Sequence, residues 1–186
     1  MSKLRIAASS FAVLALMAGA VVAGGKVTSG PQPGEELAGP FHPLNITGDM
    51  AGQKQCLYCK NGTNPVVMIF AREASKPLAN LVKKVDAETV KNSKAKMGSF
   101  VVFLSDSEDM GKHLKSWADK EKVENCILSI DNPAGPKGYK VAKDADITVV
   151  LYTDHKVKAN FAFGSGEMTD KDVEEIVSSI PKILPQ

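Results

Sequence analysis

The residues best suited to chemistry in this 186-residue chain are its cysteines, Cys56, Cys59 and Cys126. Two of them form the motif Cys56-Leu57-Tyr58-Cys59. A pair at that spacing can open and close a disulfide, pin a loop, or give two thiolates to a metal or haem. Lys54 and Lys60 flank the pair, and nearby cations favour the thiolate that exchange requires. The next residues, Asn61-Gly62-Thr63-Asn64-Pro65, are turn formers, which predicts that no helix N-terminus stands behind the cysteines. As a permanent staple the four-residue ring would add only about 1.9 kcal/mol in the chain-entropy model, against about 3 for a 15-residue loop. Zinc wants four ligands, and neither a second C-x-x-C nor a spaced His pair accompanies the motif. Covalent haem normally follows C-x-x-C-H, whereas position 60 is Lys, the ending of a rarer haem motif. Three readings stand: Cys56 and Cys59 as a catalytic redox pair, as a structural disulfide, or as a C-x-x-C-K haem or metal site. No cofactor and no resident metal are assigned. Cys126 opens an apolar run and reads as an inert buried thiol. Its alternative role is a resolving partner for Cys56 or Cys59.

Other polar groups point to less. His42, His113 and His155 are scattered and read as solvated or locally bonded. No Ser-His-Asp spacing or G-x-S-x-G elbow occurs. Asp106, Glu108 and Asp109 suit a helix start, where acids complement the dipole, better than a calcium loop. Lys83, Lys84, Lys91, Lys94 and Lys96 alternate with Asp86 and Glu88, the pattern of a solvated face rather than of nucleic-acid binding.

The first residues set the context for the cysteines. Met1–Arg5 is a short basic head, Ile6–Ala23 is an uncharged apolar run, and Val21-Val22-Ala23 is a small-residue exit. That is the build of a signal peptide over 1–23; the other reading is a retained anchor, since 18 apolar residues reach the lower limit for a span. Removing Lys3 and Arg5 from the 23 bases leaves 21 against 21 acids, a neutral mature chain with no polyanion partner implied. The expected location is exported, periplasmic or extracellular, an oxidising compartment where neighbouring cysteines pair. Once the signal is removed, no contact with membrane is expected, and the expected partner is another exported thiol protein.

The elements that must position the cysteines follow from hydrophobic patterning. Residues 24–40 hold five Gly and three Pro and read as a flexible linker. The domain is assigned to 41–186. Runs at Val66–Phe70, Phe100–Leu104, Cys126–Ile130 and Ile147–Tyr152 read as buried strands. Val157, Ala159, Phe161 and Phe163 alternate with polar residues, which predicts an antiparallel hairpin strand. Apolar stripes at Leu78–Val85, Met110–Ala118 and Val173–Ile180 predict helices. Ser105 with Glu108 and Thr169 with Asp172 are candidate capping boxes, and a weaker helical turn is expected near 137–143. Alternating strands and helices imply an α/β fold with parallel pairing.

This order, with Ile130-Asp131, Tyr139-Lys140-Val141 and Gly164 in the second half, resembles the thioredoxin-like superfamily. It is similar to a divergent exported redoxin or peroxiredoxin-like domain lacking the usual active-site cysteine. The resemblance covers roughly 41–182. It implies a three-layer α/β/α sandwich, with a central mostly parallel sheet and a C-terminal antiparallel hairpin. It also implies an active site after the first core strand. There this chain has Ser75 where the family has its first Cys, and no Pro before Ile147. Ser75, Arg72 and Ile147 thus mark a vestigial site, and Arg72-Glu73 either lines it or forms a surface ion pair. The functional expectations are thiol-disulfide exchange through the displaced Cys56/Cys59 pair or, alternatively, a non-catalytic binding domain on the same fold.

Overall fold

A computed structural model describes residues 27–185. The expected signal peptide, 1–23, lies outside the described residues. Strands β1 (Leu44–Asn45), β2 (Val66–Ala71), β3 (Gly98–Leu104), β4 (Ile127–Asp131), β5 (Ile147–Thr153) and β6 (Lys156–Phe163) form one sheet in the order β1-β4-β3-β2-β5-β6. The helices are α1 (Leu57–Asn61), α2 (Lys76–Lys91), α3 (Met110–Glu121) and α4 (Asp170–Ser178).

Every residue of β2 is buried, as expected of an unbroken Val/Ile/Phe run covered on both faces. It pairs parallel with β3, which pairs parallel with β4, and antiparallel with β5. The closing β5–β6 hairpin is antiparallel, as its alternation predicts. The sheet is therefore mixed: the crossovers through α2 and α3 keep their strands parallel. The connection from β4 to β5 is a series of turns, with no regular helix at 137–143, and delivers β5 antiparallel to β2.

Alternate side chains of the strands feed two cores. Val67, Ile69, Val101, Phe103, Val149 and Phe161 face the stripes of α2, α3 and α4. Val66, Met68, Phe70, Phe100, Val102 and Tyr152 face Leu57 of α1, Leu37, Phe41 and Tyr139. Two layers thus enclose the sheet, one of three helices and one of α1 with irregular chain. Cys126 is buried in the helical-side core.

Two local expectations change. The Ser105/Glu108 box does not form: Ser105 Oγ accepts the Ser107 N–H at 3.1 Å, a local turn bond that competes with capping. Instead α3 begins after Asp109, whose side chain makes no capping bond. The Thr169/Asp172 box does form, with Thr169 N donating to Asp172 Oδ2 at 2.8 Å. The flexible linker is also corrected over 29–37. Ser29 Oγ bonds Thr148 Oγ1 at 2.7 Å, Asn160 Nδ2 donates to the carbonyls of Ser29 and Pro31 at 2.9 and 3.0 Å, and Gly34 N donates to Val157 O at 2.9 Å. Gly30, at φ +78°, lies so close to β5 that a Cβ would come 2.8 Å from Thr148 Cγ2. Here the glycine serves close backbone approach, not flexibility.

Candidate functional site

The Cys56/Cys59 motif sits on α1, immediately before the amino end of β2. A helix forms here because Leu57 is fully buried against the sheet, and the ends of the turn are satisfied locally. Asn61 Nδ2 donates to Leu57 O at 2.8 Å, and Gly62, at φ +52°, donates its N–H to Tyr58 O at 3.1 Å. The turn formers after Cys59 therefore terminate a short helix where the sequence predicts none.

Cys56 is the N-cap residue and Cys59 the third helical residue. Their sulfurs are joined in a disulfide, with Cα atoms 5.2 Å apart. Cys59 N donates to Cys56 Sγ at 3.0 Å, so the first sulfur takes the place a Ser or Asp oxygen takes in an ordinary cap. Cys56 is half-buried, whereas Cys59, Lys54 and Lys60 are exposed. The chemistry on offer is reversible two-electron exchange with another thiol or disulfide. A metal or haem would need both sulfurs released from the ring. Among the described residues no group of three or more His, Cys, Asp and Glu is gathered as a metal site.

Tyr58, between the cysteines, stacks on His155, with ring centroids 4.4 Å apart and an interplanar angle of 26°. His155 lies in the β5–β6 turn, where Asp154 and His155 both have positive φ, the geometry that tight hairpins require. Its Nδ1 is buried with no hydrogen-bond partner among the described residues. In place of the solvated or locally bonded histidine expected, His155 is half-buried and stacked on a residue distant in sequence. No sequence signal marks it, because nearly one hundred residues separate the two rings.

Cys126 takes no part. Burial pushes its thiol up to about 12, with the Asp86 carboxylate adding in the same direction and a Ser99 hydrogen bond opposing them. It belongs to the helical-side core, whereas Leu57 of α1 belongs to the opposite one. The resolving-partner reading therefore gives way to the inert buried thiol. Asp86, beside it, accepts the N–H groups of Glu124, Asn125 and Cys126 and anchors the turn into β4.

The expected vestigial site lies past the carboxyl end of β2. Ser75 and Ile147 share a cavity of about 210 Å³ with Glu73, Pro77, Asp146 and Gly164. Ser75 caps α2, its Oγ accepting the Leu78 N–H at 3.4 Å. Ile147 opens β5, opposite Ala71, and all described peptide bonds are trans. Arg72 neither lines the cavity nor pairs with Glu73. Its guanidinium donates to the carbonyls of Ala145, Pro133 and Ala142 at 3.0, 2.9 and 3.1 Å, clamping the β4–β5 connection. The six residues of β2 run between this end and α1, about 17 Å from first to last over five steps of roughly 3.3 Å. The two locations therefore form separate sites.

No family model matches the sequence, and no curated protein matches it by sequence. Solved structures do match in three dimensions. A Bacteroides thetaiotaomicron protein assigned as a protein disulfide isomerase is 15% identical and superposes with a TM-score of 0.65, covering 86% of this chain and 96% of its own. The peroxidoxin BcpB of Mycobacterium tuberculosis gives 14%, 0.58, 83% and 99% in the same terms. A secreted M. tuberculosis disulfide oxidoreductase homologous to E. coli DsbE gives 10%, 0.52, 75% and 95%. At these identities the likeness is one of fold: the chain has the thioredoxin-like fold of the redoxins, with a C-x-x-C pair on the helix before its first long strand.

Proposed function

We propose that this protein is an exported thiol-disulfide exchange protein that acts through Cys56 and Cys59, with another exported thiol protein as its partner. The observation that carries this reading is the closed ring at the start of a short helix, with Cys59 exposed and the Cys56 sulfur already receiving an N–H. Such a donor favours the thiolate form, which the exchange must release. The export part of this reading is supported by the signal-like pattern of residues 1–23 and by the secreted neighbour of the same fold. Among the described residues no helix is long and apolar enough to cross a membrane.

The test is the reduction potential of the pair, measured against glutathione and dithiothreitol buffers. The expected value lies above about −300 mV, in the range of exchangeable rather than structural disulfides. Insulin reduction that disappears in Cys56→Ser is the matching activity. A lower potential, with no insulin reduction, would reject the reading.

A specific observation also favours a second reading, a binding domain with a structural disulfide. Ser75 and Arg72 occupy the usual active-site end as cap and clamp. Low potential together with unchanged partner binding after Cys56→Ser would select it.

A further inference from the structure

The two sulfurs of the ring are not equivalent, and their difference assigns them separate roles. Cys56 is half-buried beside the fully buried Leu57, whereas Cys59 is exposed on the next part of the turn. The hydrogen bond from Cys59 N ends on Cys56 Sγ, at 3.0 Å. Hydrogen bonds to a charged acceptor are about twice as strong as those to a neutral one. This bond therefore strengthens as Cys56 becomes a thiolate, and no corresponding donor to Cys59 Sγ is present among the described residues. In disulfide exchange the rate depends on access to the attacked sulfur and on the stability of the departing thiolate. Both factors select the same direction.

We propose that thiols enter at Cys59 and that Cys56 is the leaving sulfur, an assignment that rests on the exchange function above. The incoming thiolate forms a bond to Cys59 Sγ. The Cys56–Cys59 bond breaks, and its electron pair leaves on Cys56 Sγ, which stays capped by Cys59 N–H. A second thiolate then attacks the first thiol's sulfur in the mixed disulfide, forming a bond to it as the bond to Cys59 Sγ breaks. It releases Cys59 as thiolate and leaves two thiols oxidised to one disulfide, while the protein gains two electrons and the reduced cysteines take the protons the two thiols gave up. In reverse, Cys59 thiolate attacks a substrate disulfide and holds the substrate half. Cys56 then attacks Cys59 Sγ, closes the ring and expels the substrate thiolate. Cys59 is thus the residue that carries substrate and Cys56 the one that resolves.

The test is direct mapping of the mixed disulfide. The oxidised full chain is mixed with excess glutathione, quenched early with iodoacetamide in a rapid-mixing device, and digested for tandem mass spectrometry. Glutathione on Cys59 with carbamidomethyl on Cys56 should exceed the reverse pattern by about tenfold. Equal amounts, or glutathione mainly on Cys56, would overturn the assignment. As a second readout, at a pH high enough to ionise both thiols, Cys56→Ser exposed to glutathione disulfide should accumulate a lasting adduct at the more exposed Cys59 faster than Cys59→Ser accumulates one at Cys56; the opposite order overturns it. The single variants contain no ring, so their order of adduct formation is read even if the wild-type potential falls below about −300 mV and the exchange function fails.

Discussion

The two ends of strand β2 use one device for opposite purposes. At the amino end, the N-cap of a one-turn helix is a cysteine, and the capping sulfur is tied in a disulfide near the surface. At the carboxyl end, the N-cap of a 16-residue helix is Ser75, and Arg72 behind it is spent on three backbone carbonyls. A helix N-terminus offers unpaired N–H groups to whatever stands there. A sulfur accepting such a bond becomes a better thiolate, whereas a hydroxyl only ends the helix well. The longer helix, the better place for a reactive thiol, holds none. The difference separates chemistry from architecture: the amino end should carry redox function with modest structural weight, and the carboxyl end the reverse.

The largest effect expected from breaking this comparison is at Arg72. Arg72→Ala removes a cation from three carbonyls that hold residues 133–145 over the sheet. Hydrogen bonds to charged groups contribute about 1.5–3 kcal/mol each when isolated, and a half-exposed guanidinium is partly screened. A net loss of about 3 kcal/mol is expected, a fall of roughly 6–12 °C in Tm for a domain of this size. The Cys56–Cys59 potential should not move. A shift in potential without loss of Tm would show that the two ends are coupled.

Next in size is removal of the ring. Cys56→Ser with Cys59→Ser should abolish exchange yet lower stability by no more than about 2 kcal/mol, the chain-entropy value for so short a loop. Chemical denaturation of the double variant beside the oxidised wild type measures it. A much larger loss would make the disulfide a structural staple and reverse the division of labour.

Cys126 supplies a smaller, pH-dependent effect. Its folded thiol is pushed up to about 12 from an ordinary value near 9. Between those values the unfolded chain releases a proton that the folded chain keeps, so stability is complete below about pH 9 and falls as pH rises towards 12. Burial also raises Tyr139 and Tyr152 and steepens the same decline. The contribution of Cys126 is therefore the difference between wild type and Cys126→Ala. The slope above pH 9 should be shallower in the variant, and alkylation of the wild-type thiol should stay slow in the native state.

What the sequence makes legible depends on whether the cause is local. The four buried runs, the alternating β6 and the stripes of α2, α3 and α4 appear where their periodicity places them, because burial on one or two faces writes itself into neighbouring residues. The C-x-x-C pair was equally plain. Helix α1 is not legible because Asn61 and Gly62 look like turn chemistry, and only the burial of Leu57 under the sheet makes a helix of the residues before them. The packed strap at 29–37 is not legible because its Gly and Pro residues carry a flexible composition, while the partners of Ser29 and Pro31, Thr148 and Asn160, lie more than one hundred residues away. Tyr58 on His155 and Arg72 on the β4–β5 connection are distant in the same way. Sequence patterning registers which face is buried, not which remote group completes it.

The smallest effect bears most directly on the comparison. Ser75→Ala removes one long capping bond of 3.4 Å and should cost about 0.5–1 kcal/mol, at the lower end for a lost N-cap. No change in exchange rate or potential is expected, since Ser75 and the disulfide lie beyond opposite ends of β2. Ser75→Cys is the sharper variant, because it places a thiol at the N-terminus of α2, where the aligned N–H groups favour thiolate. That thiol should react with iodoacetamide at neutral pH far faster than Cys126, which is buried and raised. If it does, the carboxyl end retains the electrostatics of a redoxin site and lacks only the sulfur. If its reactivity is no greater than that of Cys126, the Arg72 clamp and the cavity around Ile147 have closed the site, and its loss runs deeper than one residue.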